Sequence, residues 1–295
     1  MKACPSCSAR FETDNWTCPA CGYMPRSDRH FPDLMLIHAE TNVGDAHLAP
    51  STIAALEAAH PWFRSRAALI TWAMGRFCNE GRSFLDVGCG TGLVLQRLSR
   101  RYPDISLSGG DPSVEALRCA ESRVPGATLF RLDARSLPFD SEFDAVGAFD
   151  VLEHIHDDRT ALSQMRQAVR PGGSLLLTVP QHPFLWSPFD EYSGHVRRYT
   201  RRGLLSRVRE AGWEVVYTTG FVSLLLPALV LSRVLLRGGL RKAPLREMHM
   251  AGPLGSLTSA VLCGERFLIR CGVRFPAGSS LLMVARRPEA GDAEG

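Results

Sequence analysis

The sequence predicts an α/β protein with a mostly parallel central sheet, and three observations lead to this fold class. Short apolar runs of strand-like length recur along the chain from residue 84 onwards. Segments with apolar residues at helical spacing lie between them, and strands that alternate with helices form parallel sheets. A glycine-rich turn joins the first such strand to the first such helix. With 295 residues, 45% of them hydrophobic and 22% charged, the chain is large enough to bury a full core.

The first strand, a tight turn and a helix follow one another directly. An apolar run ends in Asp86, and a loop with Gly88, Gly90 and Gly92 follows it. Apolar residues then recur at helical spacing from Leu93 onwards. Glycine suits the turn because a Cβ atom would hold the backbone away from a ligand and disfavour positive φ angles. Such a strand, turn and helix open a nucleotide-binding α/β unit.

Acidic residues close the next strands as well. Asp111, Asp133 and Asp150 each end an apolar run, as Asp86 ends the first. The carboxyl ends of parallel strands lie at one edge of the sheet, where open α/β sheets bind ligands. Each aspartate alone is also typical of a turn or a helix cap, but four at successive strand ends favour a binding site. The other predicted strands are residues 105–110, 128–132, 143–149, 174–179, 213–218 and 280–285, and a turn at Pro171-Gly-Gly173 is predicted directly before residues 174–179.

Five short motifs stand at these strand ends and turns: Asp86-Val-Gly-Cys-Gly-Thr-Gly92, Gly110-Asp-Pro-Ser113, Leu132-Asp-Ala134, Leu137-Pro-Phe139 and Val169-Arg-Pro-Gly-Gly173. With them the chain resembles the class I S-adenosylmethionine (SAM)-dependent methyltransferases from about residue 60 to residue 288. The resemblance implies a Rossmann-like, mostly parallel seven-stranded sheet with helices on both faces. A dinucleotide-binding oxidoreductase typically has a third glycine where this chain has Leu93, so NAD and FAD are disfavoured.

The resemblance implies a role for each residue of the first two motifs. Gly88, Gly90 and Gly92 would let the backbone approach the amino-acid part of SAM. Asp86 would hold the ammonium group of SAM, directly or through water. Asp111 would accept from both ribose hydroxyls, a task that suits the two acceptor oxygens of a carboxylate.

The later motifs would hold the adenine and the reacting end of SAM. Asp133 would accept from the adenine amino group, and Ala134 would offer its backbone N–H to the ring. Asp150 and Val151 would lie where the sulfonium meets the acceptor.

Two histidines are the candidates for a general base. His154 follows Asp150 by one helical turn, and His195 belongs to an aromatic and ionisable loop at residues 181–199 that we expect over the sulfonium. Imidazole titrates near neutrality, so either ring suits proton transfer from an oxygen or nitrogen nucleophile. Packing or capping is the alternative role for each ring. Much methyl transfer needs only in-line positioning, in which case no base is required.

Four cysteines in two C-x-x-C pairs predict a metal site near the N-terminus. Cys4 and Cys7 form the first pair, and Cys18 and Cys21 form the second after a ten-residue gap. Four thiolates in this arrangement suit a structural zinc ion, although the gap is shorter than the commonest zinc-ribbon spacing. Unliganded cysteines, disulfides and a rubredoxin-like iron site are the alternatives. Four protein ligands leave no open position, so the metal would fold the segment rather than catalyse.

An RNA acceptor is a further alternative, because some methyltransferases of ribosomal RNA carry an N-terminal four-cysteine zinc module. The densest basic run is Arg197-Arg-Tyr-Thr-Arg-Arg202, and such a run suits phosphates. It equally suits the solvated start of a helix capped by Thr200. The formal net charge is only +4 and residues 1–30 carry no basic stripe, so a nucleic-acid partner is disfavoured.

An apolar segment at residues 221–236 lies between the sixth and the last predicted strand. It is short and is interrupted by Pro227 and Arg233, which argues against a membrane span. A buried helix packed against residues 254–271 is one interpretation. The other is peripheral membrane contact through residues 221–242 or a roof over an apolar substrate pocket. We therefore expect a small-molecule or lipid-like acceptor.

The motifs around His60-Pro-Trp-Phe-Arg64 and Gly194-His-Val-Arg-Arg-Tyr-Thr200 resemble an uncharacterised bacterial subgroup of methyltransferases (type 11/12-like). The chain is more distantly similar to the ubiquinone-biosynthesis O-methyltransferases. A SAM-dependent methyltransferase acting at O, N or C is the expected function, and a non-catalytic SAM-binding or partner-binding module is the alternative. The predicted segments are a zinc-ribbon-like module (1–28), a linker and leading helix (29–65), the SAM-binding core (66–220), a helical insertion (221–275) and the last strand with a tail (276–295).

The N-terminus lacks the pattern of a secretory signal peptide. We expect a cytoplasmic protein, with possible contact to the inner face of the membrane.

Overall fold

The computed structural model describes residues 1–13, 15–28, 31–35, 49–78, 81–235 and 252–289. Parts of the predicted linker, of the helical insertion and of the tail therefore lie outside the described residues. Two small antiparallel pairs come first, β1 (Lys2–Ala3) with β2 (Arg10–Phe11) and β3 (Ser27–Asp28) with β4 (Phe31–Pro32). The strands of the main sheet are β5 (Ser83–Val87), β6 (Ser106–Asp111), β7 (Thr128–Arg131), β8 (Phe143–Phe149), β9 (Val169–Pro180), β10 (Glu214–Phe221) and β11 (Ser280–Arg286).

The seven strands of the main sheet confirm the predicted fold class. Their order is β10-β11-β9-β8-β5-β6-β7. The ladders that join β7, β6, β5, β8 and β9 are parallel. β11 enters between β9 and β10 and is antiparallel to both of them. The chain order reverses between β5 and β8, so the carboxyl ends of β5, β6 and β8 flank the expected ligand crevice.

Helices cover both faces of the sheet. Leu175 and Leu177 of β9 are buried on the face covered by α5 (Asp158–Ala168) and α7 (Arg201–Glu210), whereas Leu176 between them is buried on the other face. This alternation follows from the two-residue period of a strand. The helices are α1 (Pro50–Ala59), α2 (Pro61–Phe77), α3 (Leu93–Arg101), α4 (Val114–Arg123), α5 (Asp158–Ala168), α6 (Pro188–Tyr192), α7 (Arg201–Glu210), α8 (Leu226–Leu235) and α9 (Gly252–Arg270).

Two helices begin at the caps that their sequences provide. The His60 side chain accepts from the backbone N–H of Trp62 at the start of α2. The Thr200 hydroxyl accepts from the backbone N–H of Gly203 at the start of α7. Each cap satisfies one of the backbone donors that have no partner within the helix.

The predicted turn before the fifth strand has a different form in the structure. Residues 171–173 do not precede a strand but lie within β9, which begins at Val169. The register with β8 shifts there, since Phe143 pairs with Val169 whereas Ala145 pairs with Ser174. A bulge accommodates the extra residues, and Gly172 provides its positive φ of +75°.

The N-terminal segment packs on the edge of the main sheet rather than standing apart. The Trp16 ring lies 5.9 Å from Phe130 and 5.7 Å from Phe139, both in edge-on contact. The backbone N–H of Leu34 donates to the Arg131 carbonyl at 2.8 Å, next to the end of β7. These contacts bury Trp16 to 9% exposure within the same core as the sheet residues.

The two helices of the insertion are tied to the core. The buried Glu265 on α9 accepts from the backbone N–H groups of Ser223 and Leu224 at 2.7 and 2.8 Å. Leu262 and Ile269 of α9 belong to the core cluster that also contains α2. Within the described ranges, no helix is both long and apolar enough to cross a membrane.

Candidate active site

The glycine turn is joined to the neighbouring strand at the carboxyl end of β5. The backbone N–H groups of Gly88 and Cys89 donate to the Gly110 carbonyl at 2.7 and 3.0 Å. Gly88 has a φ of +73°, and a Cβ there would come within 2.5 Å of Val151. Gly90 has a φ of +52°, and a Cβ there would point into open space between the described residues. The turn therefore leaves room at Gly90 for a ligand to approach the backbone.

Gly92 has a packing role rather than a place at the cavity. It precedes α3 with a φ of +80°. A Cβ at this position would lie 2.9 Å from the Cα of Ala120 on α4. The third glycine thus lets α3 and α4 approach each other.

Asp111 lies beside the glycine turn at the end of β6. Its two carboxylate oxygens accept from the backbone N–H groups of Gly90 and Ser113, at 2.9 and 2.8 Å. Burial raises the pKa of Asp111 to about 6, against the effect of these two hydrogen bonds. Each oxygen keeps a second lone pair, so the position fits the predicted ribose contact.

Asp86 is a buried carboxylate with an unsatisfied oxygen. It is 2% exposed, and its Oδ1 has no hydrogen-bond donor among the described residues. Burial raises the pKa of Asp86 to about 8. The positive charge of Arg66 lowers this pKa, and the negative charge of Asp111 raises it further. A buried acceptor without a donor is costly, and a ligand ammonium group would remove that cost.

Asp133 is already engaged by a neighbouring cation. The Arg135 guanidinium donates to it from Nε at 3.0 Å, and the Arg135 backbone N–H donates at 2.8 Å. Burial opposes ionisation of Asp133, but these hydrogen bonds outweigh it and lower the pKa of the carboxyl. An adenine amino group would have to share this carboxylate with Arg135. Ala134 beside it is buried.

Asp150 sits at the end of β8 in a conformation that is rare for a residue with a side chain. Its φ is +57°, which costs energy unless the surroundings fix it. The Arg66 guanidinium forms an ion pair with its Oδ2, and the Thr178 hydroxyl donates to the same oxygen at 3.1 Å. Arg66 also lies over the Trp62 ring at 4.9 Å. The pairing of Arg66 with Asp150 was not predicted from the sequence, because the two residues are 84 positions apart.

The two candidate bases lie together. The rings of His154 and His195 are 4.8 Å apart in edge-on geometry. His195 Nδ1 is 2.8 Å from Asp190 Oδ1, and Arg198 forms hydrogen bonds of 2.8 and 2.9 Å with the same carboxylate. Burial opposes ionisation of Asp190, but the contacts with His195 and Arg198 outweigh it and lower its pKa to about 2. Burial and the neighbouring His195 lower the pKa of His154 to about 4.

Glu153 completes this group and was not predicted. The residue is 0% exposed, and neither carboxylate oxygen has a hydrogen-bond donor in the part of the chain that the structure describes. Its Oε1 lies 4.0 Å from His195 Nε2. Burial, together with the charge of Asp150, raises the pKa of Glu153 well above its usual value. The sequence brings Glu153 next to His154, but its proximity to His195 depends on the path of the later loop.

A further unpredicted contact holds α1 over the glycine turn. Glu57 is 6% exposed and accepts from the Thr91 hydroxyl and from Arg123, both at 2.5 Å. Thr91 belongs to the glycine turn, and Arg123 ends α4. Residues 50–59 had no clear sequence pattern, so neither α1 nor this contact was expected.

One cavity of about 700 Å³ connects these elements. Of the predicted residues, Gly88, Gly90, Asp150, His154 and His195 line it. Its remaining wall is mostly apolar and comes from α1, α2, the loop around α6, α8 and α9. The apolar lining includes Ile53, Leu56, Trp62, Phe189, Val222, Leu225, Leu229 and Leu262. The other predicted cofactor residues are not part of this wall: Asp86, Gly92, Asp111, Asp133, Ala134 and Val151.

Two arginines of the basic run at 197–202, Arg197 and Arg198, are paired within the protein, whereas Arg202 is exposed. Arg197 and Arg207 both bind the buried Asp158, at 2.7 and 3.0 Å. Arg198 is the partner of Asp190. These charges are consumed within the fold, which weakens the case for a phosphate-binding surface.

The four cysteines of the N-terminal segment converge. Their sulfur atoms all lie within 4.8 Å of one another. Cys4 Sγ is 3.6 Å from Cys21 Sγ, and Cys7 Sγ is 3.7 Å from Cys18 Sγ. Thiolates at the Zn–S distance of about 2.3 Å in a tetrahedron are about 3.8 Å apart. The arrangement therefore fits a tetrahedral metal ion.

Comparison with known proteins agrees with the fold. The family model described as a methyltransferase domain matches residues 53–218. The chain therefore belongs to this family of methyltransferase domains, and its class is that of the SAM-dependent methyltransferases. The structure of Haemonchus contortus phosphoethanolamine N-methyltransferase 2 with SAM has a TM-score of 0.54 at 17% identity, over 81% of this chain and 57% of that one. At this identity the likeness concerns the fold alone.

Two curated relatives give the extent of the sequence similarity. The O-methyltransferase cnsE of Penicillium expansum is 34% identical over 152 residues, which are 48% of this chain and 55% of that protein. An uncharacterised methyltransferase of Mycobacterium tuberculosis is 37% identical over 134 residues, which are 44% of this chain and 64% of that protein. The matches thus span a little over half of each relative.

Proposed function

We propose that this protein transfers the methyl group of SAM to an oxygen, nitrogen or carbon atom of a small, largely apolar or lipid-like acceptor. One observation carries the proposal: a single cavity runs from the glycine turn, past Asp150 and the two histidines, to a wall of apolar side chains. A cofactor at the turn and an acceptor at the wall would meet beside Asp150. The cavity volume of about 700 Å³ is in the range that holds small ligands.

The residues at the strand ends fit SAM. Asp86 would hold the ammonium group with its unsatisfied Oδ1, and Asp111 would accept from the ribose through its remaining lone pairs. The open space at Gly90 would admit the backbone contact. Bound SAM supplies a methyl group on a positively charged sulfur. Asp150, fixed by Arg66, would place negative charge near that sulfur.

His195 is the better placed of the two candidate bases. Asp190 holds Nδ1, so the other ring nitrogen, Nε2, is left on the side of Glu153 and the cavity. Nε2 would take the proton of the acceptor hydroxyl or amine. At the same time the lone pair of the acceptor oxygen or nitrogen would attack the methyl carbon, and the electrons of the broken S–CH3 bond would stay on sulfur. His154 is a weak base, since its pKa lies at about 4.

The proposal that the apolar part of the cavity binds the acceptor is tested by a substitution that places a larger side chain in it. In Leu229→Trp a larger side chain projects from α8 into the cavity, whereas Leu231→Trp on the same helix changes a residue that is 57% exposed. Each variant is incubated with methyl-labelled SAM and a cell extract, and label is counted in the organic-soluble fraction. We expect Leu229→Trp to lose at least tenfold in incorporation with SAM affinity unchanged. Equal incorporation in both variants would refute the acceptor site.

We also propose a structural zinc ion at Cys4, Cys7, Cys18 and Cys21, supported by the convergence of the four sulfurs. A cytoplasmic location with contact to the inner membrane face through residues 221–242 is a further part of the proposal. Residues 236–242 of that segment lie outside the described residues. The support comes from Leu224 and Leu231, which are 47% and 57% exposed on the described part.

A further inference from the structure

A second group of metal-ligand side chains lies in the wall of the cavity, far in sequence from the cysteines. Glu153, His154 and His195 each offer one ligand atom, and these atoms lie within 4.8 Å of one another. All three residues line the cavity. We propose that this group binds one divalent transition-metal ion next to Asp150, where the acceptor would be positioned.

The hydrogen bond behind His195 is that of a metal ligand. Histidines that bind metals donate their other ring N–H to a carboxylate or a backbone carbonyl, which fixes the tautomer and the ring orientation. His195 Nδ1 meets the Asp190 carboxylate at 2.8 Å, which leaves Nε2 on the side of Glu153.

Among the carboxylates around the two histidines, Glu153 has no cationic partner in hydrogen-bond contact among the described residues. Three carboxylates approach one another here, and two of them have an arginine partner: Asp150 pairs with Arg66, and Asp190 pairs with Arg198. Glu153 is fully buried, and among the described residues no donor reaches either of its oxygens. A buried carboxylate normally has a hydrogen-bonding or metal partner. A divalent ion on Glu153 would supply that partner.

The ligand set indicates the kind of ion. Imidazole nitrogens suit zinc, iron, nickel or copper, whereas magnesium and calcium prefer oxygen alone. Two histidines and one carboxylate therefore favour a first-row transition ion. Three protein ligands leave positions open for water or substrate. In the cysteine cluster all four positions would be filled by sulfur.

The open coordination position would let the ion bind the acceptor directly. This inference rests on the proposed methyl transfer and adds the class of acceptor to it. An acceptor hydroxyl bound to the ion would lose its proton more readily, because a divalent cation stabilises the oxygen anion. With His195 Nε2 bound to the ion, the ion would replace that nitrogen in activating the hydroxyl. The proton would leave to solvent, and the oxygen would form the new O–CH3 bond as the S–CH3 bond breaks and its electrons stay on sulfur. The acceptors favoured by this site are thus hydroxylated, with the oxygen at the polar end and an apolar body against α8 and α9.

Manganese(II) is the probe that separates this site from the cysteines, because it is a first-row ion that a carboxylate ligand suits, whereas thiolates are soft ligands. The full chain is titrated with Mn²⁺ and the free ion is measured by electron paramagnetic resonance. We expect one bound Mn²⁺ per wild-type chain. Glu153→Gln keeps the side-chain shape and His195→Gln removes one ligand, and we expect each to weaken binding at least tenfold. His156→Gln, at an exposed histidine nearby, is the matched control and should bind as wild type.

Circular dichroism of each variant establishes that it is folded, and SAM affinity is measured in the same samples. Binding of Mn²⁺ that is lost in both cluster variants and kept in the control supports the site. Absence of binding by the wild type, or unchanged binding in either cluster variant, overturns it. Because the titration needs no acceptor or SAM, a chain that binds SAM but no Mn²⁺ refutes the metal site and leaves the proposed function standing.

Discussion

Gly88 has a positive φ, and the Val151 side chain occupies the space that a Cβ would need. For both reasons the turn does not tolerate a Cβ at this position. We expect Gly88→Ala to lower stability by about 1–3 kcal/mol through backbone strain and to weaken SAM binding, because the turn must shift. Gly126→Ala is the control, since Gly126 has open space around it among the described residues. Chemical denaturation and calorimetry with SAM measure both effects. A Gly88→Ala protein with wild-type affinity would contradict the assigned turn.

Asp86 predicts a pH dependence of SAM binding. Its pKa of about 8 without ligand means that the carboxyl is largely protonated at pH 6. A ligand ammonium group favours the ionised form, so binding should release a proton and the affinity should rise from pH 5.5 to 7.5. Above that range the α-amino group of SAM itself titrates, at about 7.7–8.0. Calorimetry in buffers of different ionisation enthalpy measures the released proton.

Asp86→Asn is the control for this pH dependence, because an amide cannot titrate in the range. We expect its affinity to change much less across this range than that of the wild type, and the remaining rise to come from Asp111, whose pKa is about 6. A wild-type affinity that falls as the pH rises would show that the ammonium group is bound elsewhere.

Single residues also show which parts of the site a sequence can predict. Asp111 and the glycines were found because each lies within a few residues of a recognisable strand and turn. The pairing of Arg66 with Asp150 was missed, since it joins α2 to a residue 84 positions later. A contact of this kind depends on how the elements pack, and neither residue alone carries a signal for it.

At the level of elements, the N-terminal segment joins the four-cysteine cluster to the main core. The double variant Cys4→Ser, Cys7→Ser should contain one zinc ion per chain fewer than the wild type. Elemental analysis of the purified proteins measures this difference. The melting temperature should fall too, because Trp16 packs on Phe130 and Phe139 and would lose its support. Cys263→Ser, Cys271→Ser, at two exposed cysteines, is the matched control. An unchanged zinc content in the first variant would refute the site.

Elements with strong local signals were predicted well, and others were not. The strands carry apolar runs, and α2 and α7 carry caps, so their positions follow from the sequence. Helix α1 was missed, because its role appears only when Glu57 meets Thr91 and Arg123 from two other elements. The bulge in β9 was interpreted as a turn, since proline and glycine favour both structures.

For the molecule as a whole, exposed apolar side chains on α9 support membrane contact. Leu254 and Leu257 are 62% and 61% exposed. We expect Leu254→Ser, Leu257→Ser to reduce flotation with anionic vesicles severalfold, because buried apolar area drives interfacial binding. Val216→Ser, at a residue of β10 that is 41% exposed, is the control. Equal flotation of the double variant and the wild type would refute contact through α9.

The whole-molecule fold was predictable for a physical reason, whereas the choice of acceptor was not. Alternating strands and helices leave few arrangements of a parallel sheet, and the acids at the strand ends then meet at one edge. The acceptor cavity draws on α1, α2, α6, α8 and α9 together. Its shape depends on their packing, which no short motif specifies.

The central claim, that the glycine turn and its acids hold SAM, is tested most directly by calorimetry. We expect the wild type to bind one SAM per chain. Asp111→Ala should bind at least tenfold more weakly, a loss of about 1.4 kcal/mol or more, because the ribose loses its charged acceptor. Asp104→Ala, at an exposed aspartate before β6, should bind as the wild type does. A wild-type chain without affinity for SAM or S-adenosylhomocysteine, or an Asp111→Ala variant with full affinity, would contradict the claim.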